Sequence, residues 1–390
     1  MNLRDKLRAV SAPAPRPAPR PEPAAGDCWR KEVTRPLDEF PGAFDLSRAT
    51  LMLMQQEELP APLDPTRILY LDTETTGLSG GAGTVAFQVG LGFLREDGFH
   101  VRQLVMRDYP EERYLLRQVQ TALEQADVLC TFNGRTFDVP LLRSRFLMNR
   151  MDPESLELPH IDLLHIARRV FKLRLKRCNL GHLEEQVLGI PRENDLPGAE
   201  VPERFFRYLR TGEFALLDDV LRHNEQDIAS LCVLLSRMTW LYEHPERIGH
   251  SEDLFAMGVA LERASHLEEA RRCYRLLPSG ALHAQGQLRM AAGYRREGSR
   301  REAARLWEEM IARGEGGVTP YVELAKHLEH HERDLPRALE MTRQAMLRLA
   351  EPRLTDSDDI LLLRESLEKR YQRLKRKAQD ERLRTQKQNG

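Results

Sequence analysis

Cysteine is scarce in this chain, and lysine is few in number for so charged a protein. The five cysteines (Cys28, Cys130, Cys178, Cys232 and Cys273) are odd in number, scattered, and never in CxxC spacing. That argues against a disulfide framework or a zinc ribbon and fits a reducing compartment. No apolar run approaches the roughly 20 residues that span a bilayer, and the N-terminus lacks the apolar region of a signal peptide. The expectation is a soluble cytoplasmic protein with no membrane contact. Nine of the 59 basic residues are lysine and 50 are arginine, the residue suited to bidentate phosphate contacts. Genome composition also raises arginine use, so this count alone identifies nothing.

What is present divides along the chain. With 390 residues, 41% hydrophobic and 31% charged, there is room for two domains and a tail. Residues 11–25, SAPAPRPAPRPEPAA, read as an extended Pro-rich tether, and 1–65 as a disordered segment and connector. Strand-like runs follow at RILYLDTE, at TVAFQVGLGFL (84–94) and at FHVRQLVMRD (99–108). The turn REDG (95–98) makes the last two a hairpin. A helix is expected near 111–125, a short buried strand at VLCTF (128–132), and helices thereafter, including a long one near 215–237. The first domain, 66–240, is therefore expected to be α/β, a mixed sheet flanked by helices.

Beyond residue 250 the strand signal vanishes. Ala270, Ala304 and Ala338 recur every 34 residues in amphipathic frames, and Leu254 with Leu288 and Ala291 with Ala325 share the spacing. Two readings stand: an irregular helical domain, or tetratricopeptide-like repeats over 250–350, an all-α repeat domain that would dock on the first domain or on a partner. Residues 351–390 read as a charged helical tail. Its last stretch, 370–390, carries eight basic and two acidic residues, either a solvated helix end or a nucleic-acid contact.

The chemistry gathers around YLDTETTG. Asp72 and Glu74 lie one residue apart on a strand, so both face the same side. Two carboxylates so placed repel each other and lose hydration, and a metal ion would compensate. TFNGRTFDVPLL (131–142) places Asp138 at the start of a helix, and RHNEQDIASL (222–231) stacks His223 and Asp227 at i, i+4. Taken singly these are a chance DxE, a helix cap and a surface pair. Taken together they suit two hard divalent ions, Mg²⁺ or Mn²⁺, and the hydrolysis of a phosphodiester, with a histidine to accept a proton.

YLDTETTG, FNGRTFDVPLL and HNEQDIASL in that order resemble the three exonuclease motifs of the DEDD superfamily, which has a ribonuclease H-like fold. HIDLLHIARR and NLGHLEEQVLGI resemble the segment between its second and third motifs. The resemblance is closest to the bacterial YprB-like branch, which joins such a domain to a tetratricopeptide-like region. It implies a metal-dependent 3′→5′ exonuclease acting on single-stranded DNA or RNA. Asp72, Glu74, Asp138 and Asp227 would hold two metal ions, with Asp72 bridging, and His223 would be the general base. In that superfamily a histidine base usually sits five residues before the last aspartate and a tyrosine four before. Here a histidine takes the tyrosine spacing. Thr75, Thr76 and Gly77 would hold the terminal nucleotide, and Asn133 and Phe137 would position or stack on substrate. Arg168, Arg169 and Lys172, in the acid-free stretch 165–177, would meet backbone phosphates or else form a solvated helix face. Asp162 is expected to be structural or a substrate contact. A non-catalytic nucleic-acid-binding scaffold and a structure-selective endonuclease are the rival functions, and a protein partner for the repeats is a further expectation.

Overall fold

The computed structural model describes residues 27–55, 58–77, 83–192, 196–350 and 358–388. The Pro-rich stretch 11–25 lies outside them. The described residues fall into two compact units, divided between His244 and Pro245.

The first unit is built on strands β1 (Trp29–Arg35), β2 (Ile68–Thr75), β3 (Ala86–Arg95), β4 (Gly98–Val105), β5 (Val128–Thr131) and β6 (His160–Asp162). Among the described residues they form a six-stranded mixed sheet in the order β1-β4-β3-β2-β5-β6. The β1, β4, β3 and β2 pairings are antiparallel, whereas β5 runs parallel to both β2 and β6. β2 is buried on both faces at its start, as the unbroken run Ile68–Leu71 requires. β3 and β4 form the expected hairpin, closed at Arg95 and Gly98.

Two strands differ from the sequence reading. The expected connector contains β1, which pairs along its whole length with β4, and a helix, α1 (Arg48–Gln55). β1 reads WRKEVTR, a charge-rich edge strand of the kind that resists further pairing, so its pattern is polar rather than strand-like. β6 spans three residues, too short to carry a period.

Helices α2 (Glu112–Glu124), α3 (Asp138–Met148) and α5 (Val201–Thr211) bury Leu115, Val119, Phe146 and Phe205 against Leu69, Leu71, Phe87 and Val89. Between α3 and α5 lies α4 (Leu163–Leu175). The long α6 (Asp218–Glu243) runs over β2, β3 and β4. Its close approach depends on Gly90, where a Cβ would stand 2.3 Å from Asn224 Oδ1 and 2.8 Å from Ile228 Cγ1. Gly90 is the register partner of Asp72, so it sets how near α6 comes to that carboxylate. Gly90→Ala is expected to cost about 1–3 kcal/mol by overpacking. Urea unfolding checks this, and a change of less than a few tenths would show that α6 yields freely.

The second unit contains helices α7 (Ser251–Arg263), α8 (Leu267–Arg275), α9 (Ala281–Arg296), α10 (Arg300–Arg313), α11 (Thr319–His327), α12 (Leu335–Leu349) and α13 (Asp358–Gln388). Each packs on the next, and α7 also touches α9. Ala270, Ala304 and Ala338 are buried, as are Ala291 and Ala325. On α13, Arg370, Arg373 and Lys377 all donate to Glu329, whose side chain is 1% exposed. Part of the basic tail is therefore spent on an internal ion cluster. Burial alone would raise the Glu329 carboxyl, but Lys377 and Arg373 hold it below the usual range. A depressed carboxyl contributes stability above its unfolded value and loses it as pH falls. Glu329→Ala is expected to cost about 1.5–3 kcal/mol, since the cations it leaves are mostly solvated, read as a fall in thermal midpoint that shrinks in acid.

Candidate active site

Parallel pairing explains why the carboxylates meet. β2 and β5 end at the same edge of the sheet, Asp72 and Glu74 lie near the end of β2, and the chain leaving β5 turns into α3 at Asp138. Crevices at the carboxyl ends of such strands are where α/β sheets place ligand sites. The turn is built by Asn133, which adopts φ +69°, with Thr136 and Phe137 donating to its carbonyl. Asp162 fixes it: its carboxylate accepts from the backbone N–H of Asn133 (2.8 Å) and Arg135 (3.2 Å) and caps α4 at Leu164 (3.1 Å). Asp162 is thus a structural anchor.

Three of the four carboxylates have a donor of their own. Asn224 donates to Asp72 Oδ2 at 2.9 Å, and Thr73 donates to Asp138 Oδ1 at 2.5 Å. His223 Nε2 stands 3.5 Å from Asp227 Oδ2 and 3.9 Å from Glu74 Oε1, so this imidazole sits between two of the acids despite its four-residue spacing. Arg192 donates to Asp227 Oδ1 and to Glu184, and its Nη1 lies 3.5 Å from His223 Nδ1. Glu184 is fully buried and also accepts from Ser230, which takes a bond from Gln226 at 3.0 Å. Arg192, Glu184, Asn224 and Thr73 were not singled out in the sequence. Glu184 and Arg192 lie eight residues apart across a π-helical turn (Glu184–Leu188), and no local period links them.

The electrostatics are strained in one direction. Burial, then the charges of Asp138, Glu74 and Asp227, push the Asp72 carboxyl well above the usual range. Burial pushes Asp138 up to about 6, although Thr73 opposes it. Burial also raises Asp227, while His223 and Arg192 pull it back. Buried carboxylates that hinder each other's ionisation are the donor set a hard divalent cation takes. Among the described residues, no three His, Cys, Asp or Glu side chains are gathered closely enough to hold an ion as they stand. Asn224, Thr73 and Arg192 each hold one of the acids. The chemistry of the set fits a metal, and side-chain rotation would be needed to close the geometry.

The remaining expected residues are distributed as follows. Thr75 Oγ1 donates to the Gly77 carbonyl at 2.8 Å, and Thr76 Oγ1 accepts from Val85 N–H at 3.0 Å, so both hydroxyls shape the turn after β2. Phe137 is 47% exposed and no part of the core. On α4, Arg168 and Lys172 are exposed, whereas Arg169 donates to the Met54 carbonyl at 2.8 Å and ties α4 to α1. No helix among the described residues is long and apolar enough to cross a membrane.

A mixed sheet of this order with carboxylates at the ends of parallel neighbours defines a ribonuclease H-like protein, and residues 69–239 match the RNase H superfamily model. The chain is 32% identical over 370 residues to the uncharacterized protein YprB of Bacillus subtilis (strain 168), covering 90% of this chain and 86% of that one. It belongs to the YprB-like family of ribonuclease H-fold proteins. A family B DNA polymerase from the hyperthermophilic archaeon Pyrobaculum calidifontis overlays with a TM-score of 0.36 and 15% identity over 60% of this chain and 30% of the polymerase. At that score the likeness bears on neither fold nor activity. The fold is that of superfamily nucleases, which generally use divalent metal ions.

Proposed function

We propose that this protein is a metal-dependent nuclease, a 3′→5′ exonuclease of single-stranded DNA or RNA. The observation that carries the reading is the meeting of Asp72, Glu74, Asp138 and Asp227, with His223 among them, at one edge of a ribonuclease H-like sheet. Two bound Mg²⁺ or Mn²⁺ ions would supply charge stabilisation at the scissile phosphate and lower the pKa of the attacking water. Asp72 would hold both ions, Glu74 and Asp227 would complete one site, and Asp138 the other. His223 would accept the water proton as the oxygen attacks phosphorus and the P–O3′ bond breaks, with solvent water protonating the departing O3′, leaving a nucleoside 5′-monophosphate and a shortened strand with a 3′-hydroxyl. Asp227 leaves Oδ2 for the site, since Arg192 occupies Oδ1.

Substrate would enter past the exposed Phe137 ring, which offers a stacking face worth about 1–3 kcal/mol per base. Asn133 and the backbone of Thr75, Thr76 and Gly77 would hold the terminal nucleotide, and Arg168 and Lys172 the backbone phosphates. We assign 66–240 to catalysis in the cytoplasm and 250–350 to a tetratricopeptide-like partner-binding region. The buried alanines in 34-residue phase support the latter.

A 5′-labelled single-stranded oligonucleotide, as DNA and as RNA, incubated with Mn²⁺ or with Mg²⁺ tests this. A ladder shortening from the 3′ end, lost in EDTA and in Asp72→Asn, is expected. One internal cut would replace the exonuclease with an endonuclease. Binding without cleavage in either metal would make the protein a scaffold.

A further inference from the structure

The helical unit holds a second cluster of chemistry that the nuclease reading does not use. A cavity of about 170 Å³ opens between α9, α10 and α11, lined by Arg295, Arg300, Lys326 and the histidines His327, His330 and His331. Its only acid, among the described residues, is Glu323, which is shared between Arg295 and Lys326 (2.6 Å). The acids just outside are also engaged. Glu332 accepts from His327 at 3.1 Å, and Glu329 is taken up by Arg370, Arg373 and Lys377, with His330 at 3.5 Å.

Arg300 takes no ion-pair partner among the described residues, and it opens the first turn of α10, whose dipole adds to its charge. The three histidines come to one wall because the chain passes from α11 into a π-helical turn at Leu328–Glu332, ended by Arg333 at φ +57°. Such turns recur at functional sites. The surplus positive charge is felt locally. Desolvation, then Arg300, His327 and His330, push the His331 pKa below its usual value.

We infer that this cavity is an anion site for one phosphoryl group, bound by Arg300, His331 and Lys326 with His327 and His330 behind them. The volume suits a phosphate and its hydrogen-bond donors and falls well under the 300 Å³ or more of a pocket for a drug-sized ligand. Charge-assisted donors on an unpaired guanidinium are the strong kind for such oxygens. A transition metal is a poorer fit, because His327 and His330 are each engaged by a carboxylate, Glu332 and Glu329, while the cations Arg300, Arg295 and Lys326 line the same cavity. The phosphoryl group has two possible sources, free phosphate or the 5′-phosphate of a nucleic-acid strand.

The full chain in EDTA, where the carboxylate cluster of the first unit repels anions, is dialysed against labelled orthophosphate. One phosphate per chain is expected, held about tenfold more weakly by Arg300→Gln and by His331→Gln. Both positions are exposed, and circular dichroism verifies that both variants fold. Displacement by a 5′-phosphorylated oligonucleotide at lower concentration than by its 5′-hydroxyl twin would identify a strand end as the source. Displacement by neither would identify a free anion. No retention at millimolar phosphate, or equal retention by both variants, would overturn the site. So would Zn²⁺ held by wild type and lost in His331→Gln in a parallel dialysis without EDTA, where no phosphate is retained.

Discussion

Asp138→Asn, free of metal at about pH 8, is expected to be more stable than wild type by up to about 3 kcal/mol. Burial raises the Asp138 carboxyl from 3.8 to about 6, and two pKa units correspond to roughly 3 kcal/mol. The sign follows from linkage. A carboxyl raised in the folded state binds its proton more tightly there, so folding stability falls as pH rises from about 4 to about 6 and stays reduced above. Asparagine removes the charge that causes the loss and keeps an oxygen for Thr73. The gain should therefore vanish near pH 4, where wild-type Asp138 is protonated. It should reverse in saturating Mn²⁺, which stabilises only a chain able to bind it. Cleavage should fall about 10³-fold or more, as expected for loss of several kcal/mol of charge stabilisation. Thermal melts at the two pH values, with and without Mn²⁺, check all three signs. A variant less stable than wild type at pH 8 in EDTA would mean that the acids are not in conflict.

Arg192→Met is expected to be the most damaging single change at the site, costing about 3–5 kcal/mol. It would leave Glu184, fully buried, and Asp227 without their shared counter-charge. Adding Glu184→Gln should recover most of the loss, because the buried charge then disappears with its partner. Saturating Mn²⁺ should recover part of it in the single variant, since a cation at Asp227 replaces the guanidinium. Urea denaturation of the single and double variants forms the cycle. Simple additivity would contradict a pairwise role for Arg192.

These two cases mark what could be read from sequence. The strands from Ile68 to Thr131 follow from period-two runs, and the DxE on β2 places two acids on one face by alternation alone. Asp138 and the His223–Asp227 pair were legible because each lies in a short motif whose helical geometry is local. What was not legible is long-range. β1 is a charged edge strand that becomes a strand only by pairing with β4. Asn224 reaches Asp72 only because Gly90, opposite Asp72 on β3, has no side chain. Arg192 bonds Asp227 across 35 residues and Glu184 across eight. The acid-free basic run on α4 read as one patch, yet helical geometry sends Arg169 to the Met54 carbonyl and leaves Arg168 and Lys172 outside. Part of the basic tail, likewise, had a partner in Glu329 that no pattern within α13 reveals.

The central claim is that the buried carboxylates form a divalent-metal centre, and counting bound Mn²⁺ tests it most directly. Free Mn²⁺ gives a sharp electron paramagnetic resonance signal that is lost on binding. Titrating wild type and Asp72→Asn at the same concentration therefore yields the number of ions each holds. The account predicts two ions per wild-type chain and fewer in the variant, with Asp72 as the shared ligand. Mn²⁺ that stays free at millimolar concentration, or binds equally to both proteins, would contradict it.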